Sequence, residues 1–220
     1  MAPAGSIYSY TAGPSGRLSP HFIRVTFVGD DLVHFGTAGL DQRIKVVLPL
    51  AHLVGGYADF GQDEEAGDWY ERWRGLPESE RNPFRTYTVR RIDSVARELD
   101  VDFVAHRDPG PAGAWAEAAT VGDRVIVVGP DERSAQSRIG LDWHPGTARR
   151  LLLVGDETAV PAISGILASL DARSDADVFV EVPTALDAVE IAAPAGARVR
   201  WLARGDADHG AQLIPAVAAW

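Results

Sequence analysis

The chain has 220 residues, no cysteine and a formal net charge of −10. That length accommodates one large domain or two small ones, and 46% hydrophobic residues suffice to bury a core. The lack of cysteine excludes disulfides, thiolate zinc sites and cysteine-ligated iron–sulfur clusters, and the acidic balance argues against a nucleic-acid binder, which would show a basic stripe.

No apolar run approaches the roughly 18 residues of a membrane span. The start, Met-Ala-Pro-Ala-Gly-Ser-Ile-Tyr, lacks the charged and apolar regions of a signal peptide, so a cytoplasmic protein without a membrane partner is expected. Short β-rich runs at 22–28, 44–50, 85–91, 101–105 and 124–128 alternate with Gly, Pro and Asp turns, which is the pattern of an antiparallel barrel or sandwich. Residues 51–83 interrupt it with an excursion, acidic at Asp63-Glu64-Glu65 and aromatic from Trp69 to Trp73. There residues 68–76 read as a short helix stopped by Pro77.

Residues 131–146 are polar and turn-rich, as a linker is. Leu151-Leu152-Leu153-Val154 then has the unbroken apolar character of a buried parallel strand. It leads through Gly155-Asp156-Glu157-Thr158 into a helix at 160–170, with Pro161 in the first turn. Strands at 178–182 and 199–203 and a helix at 212–219 follow. Strand, helix, strand implies a right-handed parallel unit. The expected fold class is therefore a β-barrel plus α/β, with an antiparallel barrel domain over 1–130 and an α/β domain over 147–220.

Two segments concentrate the chemistry. Arg85-Thr86-Tyr87-Thr88-Val89-Arg90 sets cations, a ring and two hydroxyls on one extended strand. Downstream, His106 and Asp108 precede a turn, Gly110-Pro111-Ala112-Gly113-Ala114-Trp115-Ala116, whose glycines let the backbone approach a ligand and whose amides form an anion-binding concavity. A guanidinium binds a pyrophosphate bidentately, a tyrosine covers a ring or ribityl chain, and a threonine hydroxyl reaches a ring nitrogen. Together these point to FAD. Taken alone the hexapeptide reads first as a half-buried strand, since Tyr, Thr and Val favour sheets and arginine stems cover apolar surface; the downstream turn shifts the balance.

In the second half, Gly155-Asp156-Glu157-Thr158 stands beyond the carboxyl end of a strand, where nucleotides bind. It lacks the glycines of a dinucleotide fingerprint and reads equally as a capped helix start, with Asp156 or Thr158 as N-cap. Glu181 ends the next strand, about where an acidic side chain holds a ribose diol. His21, His34, His52, His106, His144 and His209 have no His-x-x-x-His spacing, which argues against a histidine metal site.

Ordered segments along the whole chain resemble the siderophore-interacting proteins, flavin-dependent ferric-siderophore reductases of the ferredoxin-reductase-like superfamily. They are His21-Phe22-Ile23-Arg24-Val25-Thr26, Asp41-Gln42-Arg43-Ile44-Lys45 ending in Pro49, Arg81-Asn82-Pro83-Phe84 leading into Arg85, Asp102-Phe103-Val104-Ala105-His106, Gly110-Pro111-Ala112, Trp115-Ala116 and Gly122-Asp123. The second half adds Gly155-Asp156-Glu157-Thr158-Ala159, Pro161-Ala162, Glu181-Val182-Pro183 and Trp201-Leu202-Ala203-Arg204.

The resemblance implies an FAD-binding barrel before a nicotinamide-binding α/β domain, with the flavin between them. It implies Arg85, Tyr87 and Thr88 against FAD, Thr88 near the isoalloxazine edge, His106 beside the ring system and the 110–116 turn at the pyrophosphate. Thr88 and His106 are thereby the residues nearest the reaction, in which NADPH or NADH reduces the flavin and the flavin reduces an anionic ferric chelate. Strict alternation sends Arg85 and Tyr87 to one face and Thr88 to the other, so Thr88 shares their site only if the cofactor lies across the strand edge or a bulge intervenes. Lys45, the only lysine, with Arg90 and Arg204 at strand ends, are candidates for a basic rim that receives the chelate; they read equally as solvated surface charge.

Members of that family continue beyond the position of Trp220 into a last strand with a Gly-Glu turn, a further helix and a segment bordering nicotinamide and flavin, so an incomplete sheet and slow nicotinamide reduction are expected. Two other readings stay open: a flavoprotein without nicotinamide reduction that is a non-redox catalyst or accepts electrons from another protein, and a siderophore-binding module without turnover.

Overall fold

Strands β1 (Ser6–Ser19), β2 (Phe22–Val28), β3 (Arg43–Val47), β4 (Phe84–Asp93), β5 (Glu98–Val104) and β6 (Arg124–Gly129) form a closed antiparallel barrel in the order β1-β2-β5-β4-β3-β6. The structure is a computed structural model that describes residues 6–36, 38–61, 69–135 and 137–220. Alternate residues turn inward, as the two-residue period of a strand dictates: Tyr8, Tyr10 and Ala12 on β1, Ile23, Val25 and Phe27 on β2, Leu99, Val101 and Phe103 on β5.

β1 is absent from the sequence expectation. Gly13, Pro14 and Gly16 interrupt its pattern, and the strand runs through them because its register against β2 shifts between Ala12 and Ser15. Such an irregularity absorbs a proline, which has no N–H for a ladder. In the excursion, the acidic stretch and residue 68 of the predicted helix lie outside the described residues; the helix itself is α1 (Trp69–Gly75).

The expected turn at 110–116 is instead the start of a helix, α2 (Pro111–Ala118), with Gly110 at the N-cap and Pro111 at its first position. Proline is pre-organised for that position and loses no hydrogen bond there. Ala112, Ala116 and Trp115 pack into the barrel core, the indole meeting Phe27 and Phe103 at ring-centroid distances of 6.0 and 5.9 Å.

The second unit comprises β7 (Arg150–Gly155), α3 (Val160–Ala168), β8 (Asp175–Val182), β9 (Ala197–Ala203) and α4 (Leu213–Ala218), with a parallel sheet ordered β7-β8-β9. Leu153, Val178, Val180 and Val182 pack with Val160, Ile163 and Leu167 of α3. β7 departs from its reading as a buried strand: it pairs with β8 alone, and Leu152 and Val154 are 37% and 41% exposed.

The units are held together at several points. Gly165 of α3 approaches the Leu40 carbonyl so closely that a Cβ would collide with it, an approach only glycine permits. The buried Asp187, in the loop after β8, accepts hydrogen bonds from Ser19 Oγ (2.7 Å), the His21 amide (3.0 Å) and Thr184 Oγ1 (2.7 Å), with His21 Nδ1 at 2.8 Å. The segment 131–146 is tied back to the barrel, where Gln42 Nε2 donates to the Ile139 carbonyl (2.8 Å) and Arg43 to Asp142 (3.1 Å).

Candidate functional site

β4 pairs with β3 along Phe84–Thr88 but meets β5 only from Val89 onward. The Leu48 amide donates to Pro83 O (2.8 Å) and the Val89 amide to Gln42 O (2.9 Å), so by alternation the backbone groups of Arg85 and Tyr87 also face β3. Those of Thr86 and Thr88 face the opening between β4 and β5.

That opening is a cavity of about 320 Å³. β4 contributes Arg85, Thr86, Tyr87 and Thr88 to its wall; β3 contributes Arg43; β5 and the turn after it contribute Asp102, Val104 and His106. Gly110, Ala112 and Gly113 come from the start of α2, and Thr158 and Pro161 from the α/β unit. Four successive residues of one strand share the cavity because it lies across the strand's open edge. The register shift between Val89 and Arg91 falls where pairing to β5 resumes.

The chemistry follows from these neighbours. Arg85 is exposed, and the one hydrogen bond of its side chain among the described residues runs to the adjacent Phe84 carbonyl (2.9 Å), leaving most of the guanidinium for an anion. The first intrahelical bond of α2 is from Ala114 to Gly110, so the amides of Ala112 and Gly113 have no helical acceptor and stand at the positive end of the helix dipole. Tyr87 lies against Phe103, centroids 4.4 Å apart. Burial pushes its phenol up to about 12 although the Arg85 charge pulls the other way, so the ring is a neutral wall. Asp102, 7% exposed, is a fixed negative charge with both oxygens on Arg24 at 2.7 and 2.8 Å.

These groups fit FAD. Arg85 and the helix-terminal amides match a pyrophosphate, the open backbone edge and the Thr88 hydroxyl match the polar rim of a flavin, and Tyr87 matches its face.

Several predicted residues lie elsewhere. Val89 and Ala116 are 4% and 2% exposed inside the barrel, and Trp115 is part of the aromatic core, so none offers its side chain to this cavity. Pro111, Asp108 and Ala114 are exposed but outside its lining. Arg90 faces a second cavity, its Nε 3.8 Å from Asp102 Oδ2. Lys45 stands beside the first cavity, donating to Thr86 Oγ1 at 2.6 Å, with its pKa lowered by burial and by Arg43.

The expected basic rim is therefore broken up. Arg204 is 8% exposed and places two nitrogens on Glu157 at 2.6 Å each, so it is an internal counter-charge, and Glu157, fully buried, cannot contact a nucleotide through its carboxylate. Glu181, also fully buried, accepts the amides of Gly210, Gln212 and Leu213 at 2.7, 2.9 and 3.0 Å; it caps α4 rather than facing a ribose. Asp156 likewise caps its turn, accepting from the Thr158 amide (2.9 Å) and hydroxyl (2.6 Å). Of the Gly155 to Thr158 segment, Thr158 alone lines the cavity.

Sequence reasoning missed Arg43, Asp102, Val104 and Pro161 as site residues. The first is placed by its position opposite Thr88, and Asp102 by its position opposite Arg24. Such cross-strand pairs become visible only once register is known.

A closed antiparallel barrel joined to a parallel α/β sheet is the architecture of the ferredoxin-reductase-like proteins. The ferredoxin reductase in carbazole 1,9a-dioxygenase shares it at 16% identity and a TM-score of 0.61, over 98% of this chain and 57% of that one, a likeness of fold alone. More narrowly, the chain belongs to the siderophore-interacting protein family: residues 14–134 match the siderophore-interacting FAD-binding domain and residues 148–220 the siderophore-interacting protein domain.

A siderophore utilization protein from T. fusca is 28% identical with a TM-score of 0.77, covering 100% of this chain and 78% of that one. The ferric vibriobactin reductase ViuB of Vibrio cholerae is 33% identical over 187 residues, covering 85% of this chain and 63% of the relative. No helix among the described residues is long and apolar enough to cross a membrane.

Proposed function

We propose that the protein is a cytoplasmic ferric-siderophore reductase that holds FAD in the cavity on the open edge of β4, takes electrons from NADPH or NADH and passes them to iron(III) in an anionic chelate. The observation that carries this reading is the composition of the cavity, which has Arg85, Tyr87, Thr88 and the α2 amides on the barrel side and Thr158 and Pro161 on the α/β side. The name of the vibriobactin reductase supports the substrate class.

When bound, the flavin couples a two-electron hydride donor to a one-electron acceptor. Arg85 and the amides of Ala112 and Gly113 hold the pyrophosphate. Tyr87 would cover a ring face as a neutral phenol, Thr88 would hydrogen-bond the ring edge, and His106 lines the same cavity. Thr158 and Pro161 form the surface on which a nicotinamide nucleotide rests. Lys45 and Arg43 attract the anionic chelate, and the iron needs no protein ligand, because iron(II) binds oxygen-rich chelators less tightly.

The test is spectroscopic. Purified protein should show a flavin absorbance spectrum, bleach anaerobically with NADPH or NADH, and recover its colour on adding a ferric catecholate while a ferrous-specific dye captures iron(II). A colourless protein that fails to bind added FAD would overturn the reading. Bleaching by dithionite but by neither nicotinamide would remove the proposed electron donor.

A further inference from the structure

A second cavity, of about 390 Å³, lies between the barrel and the start of α3. Its volume is that of small-molecule sites, and Asp102 forms part of the wall of both cavities. Arg24 and Arg90 enter it from β2 and β4, and Ser164 from α3.

The two guanidiniums are not equivalent. Arg24 is spent on both oxygens of Asp102 at 2.7 and 2.8 Å. Arg90 comes no nearer that carboxylate than 3.8 Å and makes no hydrogen bond among the described residues, though its side chain is only 28% exposed. Ser164 is 3% exposed, and its hydroxyl likewise bonds no described residue. A half-buried guanidinium whose carboxylate neighbour stands 3.8 Å away, and a hydroxyl with no hydrogen bond to a described residue, face one cavity as donors available to an acceptor.

The charge balance agrees. Arg24 and Arg90 face one interior carboxylate, Asp102, whose two oxygens Arg24 occupies; the other acidic lining residue, Glu190, is exposed. Phe22, Val160 and Leu186 supply apolar wall beside these donors.

We propose that this cavity binds a small organic carboxylate, its oxygens on the Arg90 guanidinium and the Ser164 hydroxyl and its short apolar body against Phe22, Val160 and Leu186. The planar fork of an arginine matches a carboxylate in two parallel hydrogen bonds, and the apolar wall distinguishes an organic anion from an inorganic one. Such a ligand bridges β4 and α3, and so stabilises the docking of the two units by mass action. The site is independent of the flavin reading.

Calorimetric titration of the full chain with sodium benzoate, acetate and inorganic phosphate tests it. Saturable one-to-one benzoate binding is expected, tighter than acetate or phosphate. Arg90→Gln should weaken it by about tenfold or more, Ser164→Ala by about threefold, and Glu190→Gln should tighten it by about twofold by removing a like charge from the lining. Arg85→Gln, in the first cavity, should leave it unchanged.

The proposal is overturned if benzoate shows no saturable binding below about 10 mM, if Arg90→Gln binds as wild type does, if Arg85→Gln abolishes binding, or if phosphate binds more tightly than benzoate. Should Arg90→Gln melt early without ligand, Glu190→Gln decides: tighter binding supports the site and unchanged or weaker binding overturns it.

Discussion

Arg204 and Glu157 form a closed pair, two nitrogens against two oxygens at 2.6 Å each, with 8% and 0% of their side chains exposed. One follows β9 and the other follows β7, so the pair clamps strand ends on either side of β8, whose Glu181 stands 3.9 Å from Arg204. Removing one partner strands a buried charge, whereas replacing both with apolar groups does not. Arg204→Met should lower unfolding free energy by about 3–5 kcal/mol, with the double variant Arg204→Met/Glu157→Met recovering most of the loss. Urea denaturation measures both; equal destabilisation in single and double variants would show the pair is not the clamp.

Arg85 and Arg91 offer a matched contrast on one strand. Arg91 is engaged by Asp100 (2.7 Å) and Glu98 (2.6 Å), whereas Arg85 keeps most of its donors for the cavity. Arg85→Ala should cost about 1.5–3 kcal/mol of FAD affinity, the worth of a charge-assisted bidentate contact, and Arg91→Ala should leave flavin affinity unchanged. Flavin fluorescence titration distinguishes them, and equal losses would refute the assignment.

Lys45 and Arg43 are cations at the side of the first cavity, whereas Arg90 lines the second cavity and Arg204 is turned inward. Neutralising Lys45 and Arg43 together should slow reduction of an anionic ferric chelate steeply at low salt and slightly at high salt, since exposed charges are screened beyond about 10 Å at 0.1 M. Chelate reduction rates against ionic strength test this. A salt-independent loss would mean contact rather than steering.

Asp187 gives the molecule an acid-sensitive latch between β1–β2 and the loop after β8. Burial opposes its charge, but hydrogen bonds from Ser19, Thr184 and His21 outweigh that and hold the carboxyl below its usual range. A carboxyl depressed in the folded state adds stability that is present above about pH 4 and lost as pH falls through the lowered folded value. Asp187→Asn should therefore destabilise by about 1.5–3 kcal/mol at neutral pH, with the difference from wild type shrinking in acid. Melting curves from pH 7 down to about 2.5 would show a constant gap if the carboxylate charge were irrelevant.

The sequence by itself determined the order and kind of most elements, because a strand's alternation and an amphipathic helix are written in neighbouring residues. β2 was legible at both ends, and the run from Leu151 to Val154 announced a parallel strand. It also singled out Arg85, Tyr87, Thr88, His106, Gly110 and Thr158, through motif and family resemblance, and all six line one cavity.

Only the tertiary structure decided what those residues share. Thr88 joins Arg85 and Tyr87 because β4 does not pair with β5 until Val89, a matter of pairing that no local pattern records. Trp115 turned into the barrel, and Arg204 inward onto Glu157, for the same reason. A strand end reads as surface until the chain folds another carboxylate against it, and that carboxylate, 47 residues away along the chain, is fixed by strand order and not by spacing.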